Sequence, residues 1–567
     1  MRSLPPPRIT RARRWKRIKR ALKSLFEKGY ISDFTVFYKR CQKNHYSISK
    51  IRRTRFTYRF VNTERKGVVK RANRGLRFAR MIGRKATKFT MPGLKKGLRA
   101  SRTVSSPGIK FFTNEEDESL QVSDSPLYVP VTLKRFGLSE VVNHLLGNFQ
   151  SSEDEDKKPI PFDFLIDGVL LRTSIEEYLT KHGLSNEAFL NLEYTRAILP
   201  PSFLASFNSD DWISSIDAIN SNSKAVKSSQ LTISQPKILS GSYDGIVRTY
   251  NMSGKVEKQY VGHSAPIRSV KWITPTRIVS AGNDRQVRLW KTSYGEGNVI
   301  DEDEDDEVED GKTLAILEGH KAPVVDLSID YTSNRILSAG YDHNVGFWST
   351  NYKDMQTIQP LEYDSNVISS SSKKRRKMAV QDSTIRRRSP LQLLTGHSEP
   401  VEGVIFDSND STVGYSVSQD HTIKTWDLVT SRCVDTRTTG YSLLSVLQLP
   451  DVNLIATGSS ARHINLHDPR MSTNANEQTI NKLVGHTNFV VGLTASPHNV
   501  NMFASSSHDG TVKVWDVRAE KSLYTITRED GSTNAKIFDV CWDSQIGIIS
   551  GGEDKKLQIN KGSDISK

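Results

Sequence analysis

LTGHSEPVEGVIFDSNDSTVGYSVSQDHTIKTWDL, residues 394–428, is the stretch whose reading decides the fold. It opens on Gly396-His397 and closes on Trp426-Asp427, with Ser416 four residues before Asp420 and Trp426 six after it. The offsets recur. His263, Ser280, Asp284 and Trp290 repeat them, as do His320, Ser338, Asp342 and Trp348, and again His486, Ser505, Asp509 and Trp515. Ser240, Asp244 and Tyr250 make a first unit without the Gly-His, and Ser550, Asp554 and Asn560 a last one with Asn in the Trp place. Thr457, Ala461 and His467 fill a degenerate unit between them. The turn positions 244, 284, 342, 420, 461, 509 and 554 lie 40, 58, 78, 41, 48 and 45 residues apart, so two gaps carry insertions.

A period of about 40–45 residues bounded by Gly-His and Trp-Asp is the signature of the WD repeat, one four-stranded blade of a β-propeller. Seven units predict a seven-bladed ring. In such repeats the His, Ser, Asp and Trp form a buried relay, because polar groups inside a small sheet are costly unless they satisfy one another. His beside Asp and Ser is also the material of a hydrolase triad. A set repeated in several blades is architecture, whereas an active site occurs once. No unrepeated nucleophile, metal or phosphate constellation stands beside it, so the reading is a non-enzymatic chain that needs no cofactor.

The ring is expected over residues 198–567. Residues 201–208, PSFLASFN, match the place of an outermost strand such as Leu391–Thr395, and the last unit ends at Asn560 without one of its own. Residues 201–208 are therefore expected to complete the last blade and close the ring, leaving no open sheet edge. Both long gaps fall between the third and fourth strands of a blade. Near 291–311 the insertion contains DEDEDDEVED, nine acids in ten, which reads as a solvated loop. Near 351–390 it contains Lys373, Lys374, Arg375, Arg376 and Lys377, then Arg386, Arg387 and Arg388. This reads as a bipartite nuclear-import signal on an exposed loop.

Residues 105–197 have the texture of a small α+β domain. Gly108–Phe112 and Leu127–Leu133 read as a strand pair, and GLSEVVNHLLG sets Leu138, Val142 and Leu145 on one helical face. PFDFLIDGVLL reads as a hairpin turning at Asp167-Gly168, TSIEEYLTKHGL as a short helix, and Leu190, Leu192 and Tyr194 alternate on a final strand. That order is the ubiquitin-like β-grasp.

Charge divides the chain sharply. Residues 1–104 hold thirty-three Lys and Arg against Glu27, Asp33 and Glu64, a net +30, so the rest carries −13 of the total +17. Trp15, Ile18, Leu22 and Leu25 permit a basic amphipathic helix, and Tyr38, Tyr46, Phe56, Tyr58 and Phe60 are interleaved with basic residues. Three readings stand for this extension, which is disordered or partly helical in each. It makes weak RNA contact by charge and stacking, or aids nuclear delivery. It is an Arg-rich organellar presequence. Or it is an upstream extension with no role in the mature protein. Cys41, Cys433 and Cys541 show no metal spacing and no disulfide framework, which fits a reducing compartment. No apolar run reaches the length of a membrane span, and the N-terminus lacks the apolar core of a secretory signal.

With a ubiquitin-like domain directly before seven WD repeats, the chain resembles the WD-repeat subunit of the PeBoW complex of ribosome biogenesis. The resemblance runs from about residue 106 to the end, carried by FDFLIDGVLLRTSIEEYL, LNLEYTRAILPPSFLASF and GSYDGIVRTYN. It implies a factor of the nucleolus and nucleoplasm that assembles the large ribosomal subunit on pre-ribosomal particles. Its partners would be the block-of-proliferation WD-repeat protein and the pescadillo protein. It further implies that the ubiquitin-like domain binds the metal-ion-dependent adhesion site of the AAA ATPase midasin. The acidic ligand offered in trans to that metal would be Glu187, in LSNEAFLNLEY. A carboxylate suits a hard cation with an open position. Two other architectures compete: the notchless-type relative, whose propeller has an additional blade, and a ubiquitin-ligase substrate receptor, whose docking domain is usually helical.

Overall fold

The computed structural model describes residues 107–292 apart from 116, 124, 148–158, 186–188 and 198, then 309–358, 385–471, 481–529 and 535–561. The basic extension, the Lys373–Lys377 cluster and most of the acidic run lie outside the described residues.

The first domain is the grasp. Its elements are β1 (Gly108–Phe112), β2 (Leu127–Tyr128), α1 (Arg135–Leu145), β3 (Phe162–Ile166), β4 (Val169–Leu170), α2 (Ile175–Lys181) and β5 (Leu190–Arg196). The sheet order is β2-β1-β5-β3-β4, with β1 parallel to β5 and the other pairs antiparallel. Asp167 and Gly168 both have positive φ, at 51° and 77°, as a tight primed hairpin turn requires. Ile109, Phe111, Phe164, Leu192 and Tyr194 meet Leu138, Val142, Ile175 and Leu179 of the helices in one core. Asn143 is buried in α1, where its side chain donates to the Ile160 carbonyl (2.6 Å) and accepts from the Ile160 N–H (3.0 Å), pinning the chain ahead of β3. Two expectations fail in detail. The second strand is two residues long and not seven, because Pro130 has no N–H to give a ladder and the chain turns there. Leu145, expected on the buried face of α1, is 40% exposed in its last turn.

The remaining strands form seven blades among the described residues. Strand Ser202–Asn208 pairs antiparallel with Lys556–Lys561 and supplies the outer strand of the last blade, so the ring closes as the sequence implies. Seven blades set the notchless-type architecture aside, and a grasp in place of a helical motif does the same for the ligase receptor. The insertions behave less simply. Glu309–Asp310, the end of the acidic run, adds a parallel fifth strand to Val256–Val261 of blade 1. Arg387–Arg388 likewise adds to Lys312–Glu318 of blade 2. Each returning insertion thus covers the outer edge of the blade before its own.

Four blades carry a complete relay. His397 Nδ1 lies 2.8 Å from Asp420 Oδ2 and its Nε2 lies 2.7 Å from Ser416 Oγ, which accepts from Trp426 Nε1 at 2.8 Å. Since a carboxylate only accepts, the ring proton belongs on Nδ1, and Nε2 takes the Ser hydroxyl proton. The same chain joins Asp284, His263, Ser280 and Trp290, then Asp342, His320, Ser338 and Trp348, and Asp509, His486, Ser505 and Trp515. Blade 7 lacks the His, and Arg528 takes its place. The guanidinium donates to Ser550 Oγ (3.0 Å) and its Nε lies 2.9 Å from Asp554 Oδ2. In blade 1 buried Arg248 holds Asp244 and Asp210, each at 2.7 Å. In blade 5, which lacks the Gly-His and the Trp, Thr457 Oγ1 lies 3.2 Å from His467 Nε2.

Burial pushes the His397 ring below its ordinary value. Burial alone would raise the Asp420 carboxyl, but the Thr422 hydroxyl, the His397 ring and the Ser398 N–H outweigh it and hold it at about 2. Both shifts mean that the unfolded chain binds more protons on acidification. Stability should fall as pH drops below about 6.5, where unfolded His protonates, and again from about 4 toward 2, where unfolded Asp does. Asp420→Ala should cost ~1–3 kcal/mol at pH 7, because His397 loses its acceptor. It should also flatten the response between pH 4 and 2. Urea unfolding across this range reads both effects, and an unchanged curve at pH 7 would remove the relay as a source of stability.

Candidate functional site

Three regions bear chemistry outside the relays, and the first is the axial channel. The innermost strands line a cavity of about 700 Å3. Inner strands have one edge with no neighbouring strand, so their N–H groups need partners. Asp217 accepts from the Trp272 N–H (2.7 Å), Asp326 from Val404 (3.0 Å) and Asp539 from Ile216 (2.8 Å), each reaching into the next blade. Lys271 sits among these acids. Burial works to lower it, but Asp217, Asp539 and Asp326 prevail and keep it protonated. Asp326 is pushed up to about 6 by burial, only partly offset by Lys271. The carboxylates are committed to backbone donors, and Cys541, two residues after Asp539 on the same strand, has its thiol pushed well up by burial. Among the described residues no group of three or more His, Cys, Asp or Glu side chains is arranged to hold a metal. The arrangement stitches blades together. Sequence reading missed it; its only trace is an Asp or Lys interrupting an otherwise apolar inner strand.

The second region is the basic insertion. Arg387 and Arg388 are not on an exposed loop but in a half-buried strand, and Arg386 just before them is exposed. Arg387 donates to Glu318 (2.7 Å) with its side chain 13% exposed, Arg388 to the Met355 carbonyl (3.1 Å), and Arg386 to the Tyr352 hydroxyl (3.2 Å). The Arg386 and Arg388 guanidinium carbons lie 5.5 and 5.8 Å from the centre of the Tyr352 ring. A receptor that reads extended basic backbone would have to peel this strand from blade 2. The other half of the expected pair, Lys373–Lys377, lies outside the described residues.

The third region is the grasp and its seat on the ring. Edge strand β4 is met by the turn of blade 6 that follows Val512–Asp516: the Leu170 N–H donates to the Arg518 carbonyl at 3.0 Å. Leu165 and Leu170 pack on Ala519, all three buried. Lys181 and Glu520 pair at 2.5 Å, though both are exposed and add little. Asp163, buried beside this seam, is pushed up by burial and partly restored by Arg135 at 2.6 Å. Glu187 itself lies outside the described residues. Its flanks are visible: Ser185 and Phe189 are both exposed, the second at 69%. Phe189 leads into β5, the middle strand of the sheet.

The family model of the NLE (NUC135) domain matches residues 108–179. That of the WD domain, G-beta repeat, matches residues 254–291, 311–349, 388–427 and 477–516, the four blades with complete relays. The Ribosome biogenesis protein YTM1 of Candida albicans is 87% identical over 459 residues, covering 81% of this chain and 97% of its own length. The protein of the same name in Scheffersomyces stipitis is 77% identical, covering 81% and 98%. That of Kluyveromyces lactis is 60% identical, covering 81% and 97%. Among solved structures, the WD40 β-propeller domain of Doa1 matches 64% of this chain and 96% of that one, at 17% identity and a TM-score of 0.45.

The seam is directly testable. Ala519→Glu puts a carboxylate against Leu165 and Leu170, where a buried charge has no partner. Protease cleavage between the grasp and blade 1, around 197–201, should rise by roughly tenfold, the factor that ~1.4 kcal/mol represents. Unfolding of the ring should hardly change. Cleavage at the wild-type rate would mean that this seam does not hold the grasp.

Proposed function

The chain belongs to the YTM1 family of ribosome biogenesis proteins, and from that premise we propose that it is a scaffold of large-subunit assembly removed from its particle by an ATPase. It is a non-catalytic assembly factor. The propeller docks the block-of-proliferation WD-repeat protein, and through it the pescadillo protein, on pre-ribosomal large-subunit particles. The grasp offers Glu187 to the metal of midasin. The observation that carries the second part is that both described flanks of Glu187, Ser185 and Phe189, are exposed. A metal with an open position needs an oxygen ligand presented by a partner, and hard divalent cations favour carboxylate. The protein acts in the nucleus, in nucleolus and nucleoplasm. Lys373–Lys377 serves as the import signal, without Arg387 and Arg388, which are paired into blade 2.

The full chain should bind the adhesion-site domain of midasin in magnesium, and EDTA should abolish that binding. Glu187→Gln keeps the shape and loses the charge, while Glu187→Asp shortens the reach by one methylene. Both should weaken binding by at least roughly tenfold, at unchanged thermal stability. Equal affinity of Glu187→Gln and wild type would refute the ligand role. For import, changing Lys373–Lys377 to Gln in the chain lacking residues 1–104 should lower its nuclear-to-cytoplasmic ratio several-fold. Unaltered accumulation would place the signal elsewhere or make a partner the carrier.

A further inference from the structure

The blades repeat, so residues at one place in their inner strands form a layer across the axial channel. The second residues of these strands include Arg268 in blade 2, Glu402 in blade 4 and Phe538 in blade 7. Tyr243, Tyr341 and Gln419 follow the next, antiparallel strands of blades 1, 3 and 4 and so return to the same end. All of them line the cavity. At this mouth the rings of Tyr243 and Phe538 have centroids 5.7 Å apart, and Trp212 lies 5.5 Å from the first and 6.1 Å from the second. Glu402 stands across the ring from them. The Tyr341 hydroxyl (2.9 Å) and the Gln419 amide (2.6 Å) both donate to its Oε1, while Oε2 accepts from no described residue.

Charge in the cavity is unbalanced. Asp217, Asp326, Asp539 and Glu402 face Lys271 and Arg268, an excess of two negative charges when all are ionised. Burial, with Lys536 and Arg268 nearby, lowers His508 and keeps it neutral at neutral pH. Arg268 is already engaged, donating to the Tyr243 hydroxyl at 3.0 Å. Ser445, 8% exposed, also lines the cavity, and its buried hydroxyl has no hydrogen-bond partner among the described residues.

We infer that this mouth binds a primary ammonium on a methylene chain, carried by a lysine side chain or by a free polyamine. The ammonium donates to Glu402 Oε2, and the methylenes lie toward Phe538 and Tyr243, whose ring faces favour a cation. Excess negative charge within low-dielectric walls draws such a group in. A cavity of about 700 Å3 is the size of a small-molecule site. Because Oε1 is taken twice, one carboxylate oxygen is open, which suits a compact ammonium better than a two-pronged guanidinium.

The test is calorimetric titration of the full chain, at neutral pH, with Nα-acetyl-lysine methylamide and separately with spermidine. The lysine probe should bind with Kd on the order of 1 mM, and its norleucine and arginine counterparts at least roughly fivefold more weakly. Glu402→Gln should raise Kd roughly tenfold and Phe538→Leu several-fold, both at an unchanged melting temperature. Equal Kd for Glu402→Gln and wild type overturns the inference, since the probe then sits elsewhere on the chain, as on the acidic run 301–310. An arginine probe as tight as lysine overturns it too, as does the absence of binding at tens of millimolar. Should Glu402→Gln melt early, proton resonances of the lysine probe on wild type decide. An upfield ring-current shift of its ε-methylene, lost in Phe538→Leu, supports the site, and no shift overturns it. Spermidine tighter than the lysine probe by more than roughly tenfold makes a free polyamine the ligand, and a smaller ratio makes it a lysine side chain.

Discussion

Every strand at the margin of a sheet presents a row of backbone donors and acceptors with no neighbour, and a ring of small sheets has many margins. This constraint organises the molecule. At the inner margins Asp217, Asp326 and Asp539 reach across to the N–H groups of the next blade. At the outer margins of blades 1 and 2, returning insertions lay down Glu309–Asp310 and Arg387–Arg388. Edge strand β4 of the grasp is met by the Arg518 carbonyl. The join of the ring is closed by Ser202–Asn208. The relays tie the strands within a blade; these devices tie blades and domains to one another.

The repeat and its closure were legible because they depend on residues at fixed spacings. A relay demands His, Ser, Asp and Trp at set offsets, and the last blade visibly lacks an outer strand. What was not legible depends on contacts between distant segments. Arg528 does the work of a histidine in blade 7, but a lone arginine before a strand has no signature until Ser550 and Asp554 are seen beside it. Arg386–Arg388 reads as a solvated basic run because charge density alone gives no hint that Glu318 and Tyr352 wait on the neighbouring blade. The grasp was readable as an order of elements. Its docking on blade 6 was not, since Leu165, Leu170 and Ala519 are ordinary apolar residues in sequence. Glu187 came from family resemblance; nothing in its own spacing marks it off from other loop acids.

The two domains divide their chemistry accordingly. In the ring, Asp217, Asp326 and Asp539 are spent on backbone donors, with Lys271 held among them. In the grasp, Tyr128, Phe189 and Phe112 on the half-sheet that blade 6 does not cover stay exposed, as does Phe136 on α1.

The strand that closes the ring begins at Ser202, six residues after the grasp ends at Arg196. Traction on the grasp therefore enters the propeller through its own clasp. Ser202–Asn208 is matched with Lys556–Lys561 at six positions, and tension directed along it is shared by all the rungs at once. Tension directed across it would open them one at a time, from Ser202 inward. The seat on blade 6 works against that second mode, since it anchors the grasp to a neighbouring blade before the clasp is loaded. Mechanically, a pull in line with this strand loads the clasp in shear, and the grasp has to leave its seat on blade 6 before the clasp is peeled.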